Sequence, residues 1–178
     1  MSRTRARTRG FSLIELITVT SIVIVLGSLA LPVITSMGRV REAAAARTLA
    51  RDLDSARDRA MLSGRATFVV FAPGLEEYSV LEEPTPEAGR AAAKPVIDPV
   101  TRAPWTVRFV GPEWGEVDLG GVRVPGTTAA ELRFDQFGRP TTPGGVPLTT
   151  GASVEFGGGT RVEISPQTGR AVVKGSGT

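Results

Sequence analysis

"RGFSLIELI" (Arg9–Ile17) opens the most hydrophobic segment of the chain and places a carboxylate, Glu15, near its start. A charge on an apolar helix entering a bilayer is costly and marks function. Just upstream, Arg3, Arg5, Arg7 and Arg9 lie among the first ten residues, where there is no acid. Downstream, Leu16 to Ile34 is apolar apart from Thr18, Thr20, Ser21, Gly27, Ser28 and Pro32. That run is about 19 residues, or roughly 28 Å as a helix, close to the thickness of a bilayer core. Residues 1–10 read as a basic leader and residues 11–35 as the membrane-spanning half of a helix. Arg39, Arg41, Arg47 and Arg51 follow the span, but the leader arginines are closer together and unopposed by acids. This bias puts the N-terminus in the cytoplasm.

The helical pattern continues beyond the apolar run. Over 36–64, Leu49, Leu53, Ala56 and Ala60 recur at helical spacing, which predicts an amphipathic half in need of a soluble partner. Arg51, Asp52, Asp54, Arg57, Asp58 and Arg59 supply its charged remainder, and Ser63-Gly64 its C-terminal cap. Pro32 lacks an N–H and is expected to kink or loosen the helix.

After Gly64 the period changes to two. Strands are predicted over Thr67–Phe71, Tyr78–Leu81, Trp105–Val110, Glu116–Val124, Glu131–Phe137, Ser153–Phe156, Arg161–Ser165 and Arg170–Lys174. Pro73-Gly74, Gly120-Gly121, Gly138 to Pro140, Gly157 to Gly159 and Pro166 to Gly169 separate or interrupt them. "TRVEISPQTGRAVVK" (Thr160–Lys174) reads as a closing hairpin. Glu82 to Pro104 holds five prolines. It is too long for a routine connection, so it is expected to be mobile or a contact surface.

Composition narrows the function. The 178 residues include no cysteine and no histidine, which removes disulfides, thiol nucleophiles, Cys/His zinc sites and the usual neutral-pH base. The net charge of +3 belongs to the leader, because without its four arginines 17 cationic side chains face 18 acidic ones. The remainder offers no bulk electrostatic reason to bind nucleic acid. Glu76-Glu77 and Glu82-Glu83 are neighbours that a strand would point to opposite faces, so they preset no two-carboxylate site. Asp98, Asp118 and Asp135 show no calcium-loop spacing. Trp105 and Trp114 suit core or rim. No metal, cofactor or catalytic residue is expected.

The motif Gly10-Phe11-Ser12-Leu13-Ile14-Glu15, the apolar helix behind it, Pro32 and the β-rich remainder together resemble the class III signal of type IV pilins and type II secretion pseudopilins. Within that superfamily, "LRFDQFGRP" (Leu132–Pro140) and "VEISPQTGRAVV" (Val162–Val173) resemble the closing strands of the H-type (FimT-like) minor pseudopilins. The resemblance implies a pilin-like α+β fold, with the long N-terminal helix packed on a C-terminal antiparallel β-sheet domain over 65–178. It implies that an inner-membrane prepilin peptidase cuts after Gly10 and N-methylates Phe11, and that Glu15 helps subunits add to a filament. The implied partners are the other major and minor pseudopilins, the inner-membrane secretion platform and membrane lipid. The implied location is a single pass through the bacterial inner membrane with a periplasmic C-terminal domain.

The physics is compatible with the role of Glu15. Cleavage would create a cationic amine on Phe11 that Glu15 of a neighbouring subunit could meet. At about 4 Å and an effective dielectric near 20 the attraction is roughly 4 kcal/mol before desolvation is subtracted. Other readings stay open. A minor pilin of a type IV pilus, priming assembly or contacting DNA during uptake, shares the leader and fold. Arg161, Arg170 and Lys174 are its candidate phosphate contacts, although exposed hairpin positions are commonly charged anyway. An ordinary secretory signal cut after "SLA" (Ser28–Ala30) is opposed by Glu15 and by the patterned helix that continues to Leu62. An enzyme would lack a histidine base.

Overall fold

The structure is a computed structural model that describes residues 12–99 and 101–175, without the side chains of residues 27–36, 75 and 116. Helix α1 covers Leu13–Ser63 and includes Pro32. Two compact units divide between Met37 and Gly38. In the first unit, the described side chains from Ser12 to Leu26 are all exposed. Thr18 Oγ1 donates to the Ile14 carbonyl at 2.7 Å and Thr20 Oγ1 to that of Leu16, which satisfies both hydroxyls within the helix. Among the described residues no helix is long and apolar enough to cross a membrane.

In the second unit, the helix buries Ala45, Ala46, Leu49, Leu53, Ala56 and Ala60 along one stripe. The four positions at helical spacing in the sequence are all in it. Alanines keep the helix backbone close to its neighbours, and the two leucines supply most of the buried volume. The helix ends where Gly64 turns left-handed at φ 67° and donates its N–H to the Ala60 carbonyl at 3.0 Å.

Among the described residues twelve strands, numbered along the chain, follow. The first sheet holds β1 (Thr67–Ala72), β2 (Glu77–Glu82), β3 (Lys94–Pro95), β8 (Glu131–Phe134) and β9 (Pro140–Thr141) in the order β3-β2-β1-β8-β9, with β4 (Thr106–Arg108) also paired to β2. The second holds β7 (Gly121–Arg123), β10 (Ala152–Glu155), β11 (Arg161–Ile164) and β12 (Ala171–Lys174) in the order β12-β11-β10-β7. A short ribbon pairs β5 (Val110–Gly111) with β6 (Gly115–Glu116). Every pairing is antiparallel.

An aromatic chain joins the two main sheets. Tyr78 of β2 meets Phe109 at 5.7 Å between ring centroids, and Phe109 meets Phe156, just after β10, at 5.8 Å. Trp114 stands edge-on to Phe109 at 5.3 Å. On β1, Phe68 is buried under two guanidinium groups, those of Arg90 and Arg133, each 5.8 Å from its ring. Arg90 is held by Glu131, and Arg133 lies 3.8 Å from buried Glu83.

Three expectations are corrected. The single sheet is two sheets and a ribbon. The strands predicted over Trp105–Val110 and Glu116–Val124 are broken: the pairing of β4 with β2 runs on to buried Phe109, whose N–H bonds the Glu76 carbonyl at 2.7 Å, and Val110 then pairs with Glu116 instead. Likewise Leu119 donates its N–H to the Glu76 carboxylate while Val117 and Leu119 are both buried. At Leu119 a side-chain acceptor takes the place of a ladder partner. Finally, Glu82–Pro104 is built into the fold. Val96 is buried and bonded to the Val80 carbonyl at 2.9 Å, and Glu83 accepts the N–H groups of Glu87 and Gly89 at 3.1 and 3.2 Å. Pro95 sits on β3, at the end of the strand order, where a missing N–H costs least.

Candidate assembly surface and helix clamp

Two acids that looked equivalent to their charged neighbours fasten α1 to the sheets. The Asp52 carboxylate is only 8% exposed. It accepts the Tyr78 hydroxyl at 2.8 Å and the Trp105 Nε1–H at 3.3 Å, both from the first-sheet side. Two residues on, Asp54 accepts the Ala171 N–H at 3.0 Å. Ala171 begins β12, an edge strand of the second sheet, so the helix covers a backbone donor that would otherwise be open to pairing. Arg59 and Arg65 both reach buried Glu82, at 3.0 and 3.1 Å. Toward the start of the second unit, Glu42 lies against Gly158, leaving no room for a Cβ there.

Burial first, and then the Asp52 charge and its hydrogen bond, push the Tyr78 hydroxyl well above the ordinary phenol range, against a smaller opposing effect of Arg51. The raised folded-state value leaves this contribution to stability intact below the unfolded value of 10.0 and removes it as pH climbs further. Tyr78 is the only tyrosine of the chain. Tyrosinate absorbance in an alkaline titration is therefore expected to appear together with the loss of circular dichroism. A tyrosinate signal rising near pH 10 with the fold intact would contradict the clamp.

The residues singled out in the sequence are not gathered at one place. Gly10 and Phe11 lie outside the described residues. Glu15 sits in the first turn of α1, exposed and without an ion-pair partner among the described residues. Pro32 lies within α1. Arg161 and Lys174 face one another across β11 and β12, and Arg170 immediately precedes β12. All three line an open cleft on the outer face of the second sheet, where Arg123 of β7 joins them. No repeat or hairpin signal in the sequence links Arg123 to that hairpin. The clamp acids were missed too, since only their partners distinguish them from Asp58.

A family model described as type II transport protein GspH matches residues 45–169. The chain belongs to the GspH family. The match begins at Ala45, where the helix first becomes buried, and ends at Gly169 in the β11–β12 turn, so it spans the packed part of the second unit. Among solved structures, the minor pseudopilin EpsH from the type 2 secretion system of Vibrio cholerae is similar, with a TM-score of 0.52 at 14% identity. The similarity covers 78% of this chain and 98% of that one. At that identity the likeness is one of fold: a helix followed by antiparallel sheets. Comparison with curated proteins gave no match. Most of the helix clamp and of the two-sheet core of this GspH-family chain lies within the matched residues, and the described side chains of α1 before Gly27 are exposed.

Proposed function

We propose that this GspH-family chain is a minor pseudopilin of a type II secretion system, a structural subunit that works by assembly and not by catalysis. The observation that carries this reading is the family match over residues 45–169, joined to an α1 whose first described turns expose Leu13, Ile14, Leu16 and Ile17. In this reading residues 1–10 are removed by the prepilin peptidase and Phe11 is N-methylated. Residues 11–35 anchor the subunit in the inner membrane, with the N-terminus cytoplasmic and the β-rich unit periplasmic. The subunit then joins the other pseudopilins through the membrane platform, with Glu15 meeting the amine of a neighbour. The exposure of Glu15 leaves it available for that contact.

Intact-mass analysis of the protein from membranes is expected to show a chain beginning at Phe11 and carrying one added methyl group. A mature start at Leu31 would establish ordinary secretion instead. A second expectation concerns assembly. Glu15→Ala should be cleaved normally and keep the thermal transition of the wild type, because Glu15 has no described partner in the fold. It should lose cross-linking to other pseudopilins and lower cargo export, and Glu15→Gln should behave like Ala, since it keeps the shape but not the charge. Full cross-linking and export by a cleaved Glu15→Ala protein would remove Glu15 from the assembly contact.

A further inference from the structure

We propose that the outer face of the second sheet is a docking groove for an extended, acidic segment of a partner protein. Strand register lays the face out in rows. Arg123 on β7 stands beside Ser153, Ser153 beside Glu163, and Glu163 beside Val172 on β12. Arg170 and Lys174 flank Val172 at alternate positions of that chain segment, so all three share its face. Lys174 lies directly opposite Arg161, a like-charge pairing that destabilises a sheet on its own. Arg161 is compensated by Glu163 and by Glu155, the latter at 3.9 Å. Arg123, Arg170 and Lys174 have no carboxylate partner among the described residues. Uncompensated cations thus stand at both edges of the face, with a mixed centre between them.

The space between is a cleft of about 1050 Å³, open to solvent. That volume is at the upper end of the roughly 300–1,000 Å³ of small-molecule sites, and the open side leaves room for a length of chain to enter and leave. From β7 to β12 is three inter-strand steps, or about 14 Å, which an extended peptide spans in about four residues. Acids near both ends of such a segment would meet Arg123 on one side and Arg170 or Lys174 on the other. Val172, about half exposed, offers a seat for an aliphatic side chain between them. The same layout disfavours nucleic acid. A phosphate backbone carries charge along its whole length and would pass over Glu163 at the centre, whereas a segment with acids only at its ends would not, and no aromatic ring lines the cleft to stack a base. The inference needs only the folded second unit, and it stands or falls separately from the pseudopilin reading.

The test uses the full chain in detergent micelles and a fluorescein-labelled peptide EDSVSDE, followed by fluorescence anisotropy. The controls are the peptide KKSVSKK and single-stranded oligothymidylate. Arg123→Glu combined with Lys174→Glu alters exposed, unpaired side chains, so an unchanged melting temperature will show that the variant is folded. The acidic peptide is expected to bind saturably and more weakly as salt rises, and to lose about tenfold or more in affinity in the variant. The basic peptide and the oligonucleotide should not bind. Absence of saturable binding, equal affinity for the variant, or tighter binding of oligothymidylate would each overturn the proposal, the last in favour of a nucleic-acid face.

Discussion

A fragment of residues 65–178 is expected to aggregate on expression, whereas residues 38–178 should fold as a monomer. The difference is the second part of α1. It buries Leu49 and Leu53 completely, with Ala45, Ala46, Ala50, Ala56 and Ala60 at or below 9% exposure. Burial of two leucines and five alanines is worth on the order of 10 kcal/mol, before counting the apolar sheet residues the helix covers. That is comparable to the whole stability of a domain, about 5–15 kcal/mol. Removing the helix also frees the Ala171 N–H on edge strand β12, and it leaves the Tyr78 hydroxyl without its acceptor. An uncovered apolar face beside an open strand edge favours association between chains. Size-exclusion chromatography and amide NMR dispersion would decide the matter. A well-dispersed spectrum from 65–178 alone would refute the helix as the organiser of the core.

The largest effect of substituting a charged side chain is expected at Asp52. Asp52→Ala removes two charge-assisted hydrogen bonds and strands the Tyr78 hydroxyl in a fully buried position. The cost should be about 3 kcal/mol, most of it from the unsatisfied donor. For a unit of this size that lowers the melting temperature by about 10 °C. Asp58→Ala, six residues on and exposed, should change stability by less than about 0.5 kcal/mol. Adding Tyr78→Phe to Asp52→Ala removes the stranded hydroxyl. The double variant should then be less destabilised than the two single effects summed, by about 1–2 kcal/mol. Urea or thermal melts of the wild type and these four variants read this directly. Equal costs at Asp52 and Asp58, or strict additivity with Tyr78→Phe, would mean that the clamp contributes nothing specific.

Asp52 and Asp58 also show where sequence reasoning stops. Both belonged to the charged remainder of an amphipathic helix, and nothing local separates them. The acceptor role of Asp52 depends on Tyr78, 26 residues away, and that of Asp54 on Ala171, 117 residues away. In the candidate docking groove, Arg161, Arg170 and Lys174 stood together on one hairpin, while Arg123 entered only through the pairing of β7 with β10. Glu82–Pro104 looked irregular because its prolines suppress any strand pattern. Its order comes from Glu83 and from edge pairing to β2, which are contacts with the rest of the fold.

The amino-acid sequence by itself determined what local periodicity and backbone chemistry can express. It specified a helix followed by β-structure, the buried positions Leu49, Leu53, Ala56 and Ala60, the left-handed stop at Gly64, and the closing hairpin with Gly169 in its turn. These follow from side-chain spacing on one element, or from the φ of one residue. It also placed the Gly10-Phe11 junction and Glu15 at the head of an apolar run. The tertiary structure alone decided that the strands divide into two sheets, that Leu119 bonds a side chain in place of a ladder partner, and that two of the helix acids become anchors. Those outcomes set ladder hydrogen bonds against side-chain hydrogen bonds and pair groups far apart in the chain. Neither is defined until the sheets and the helix are packed together.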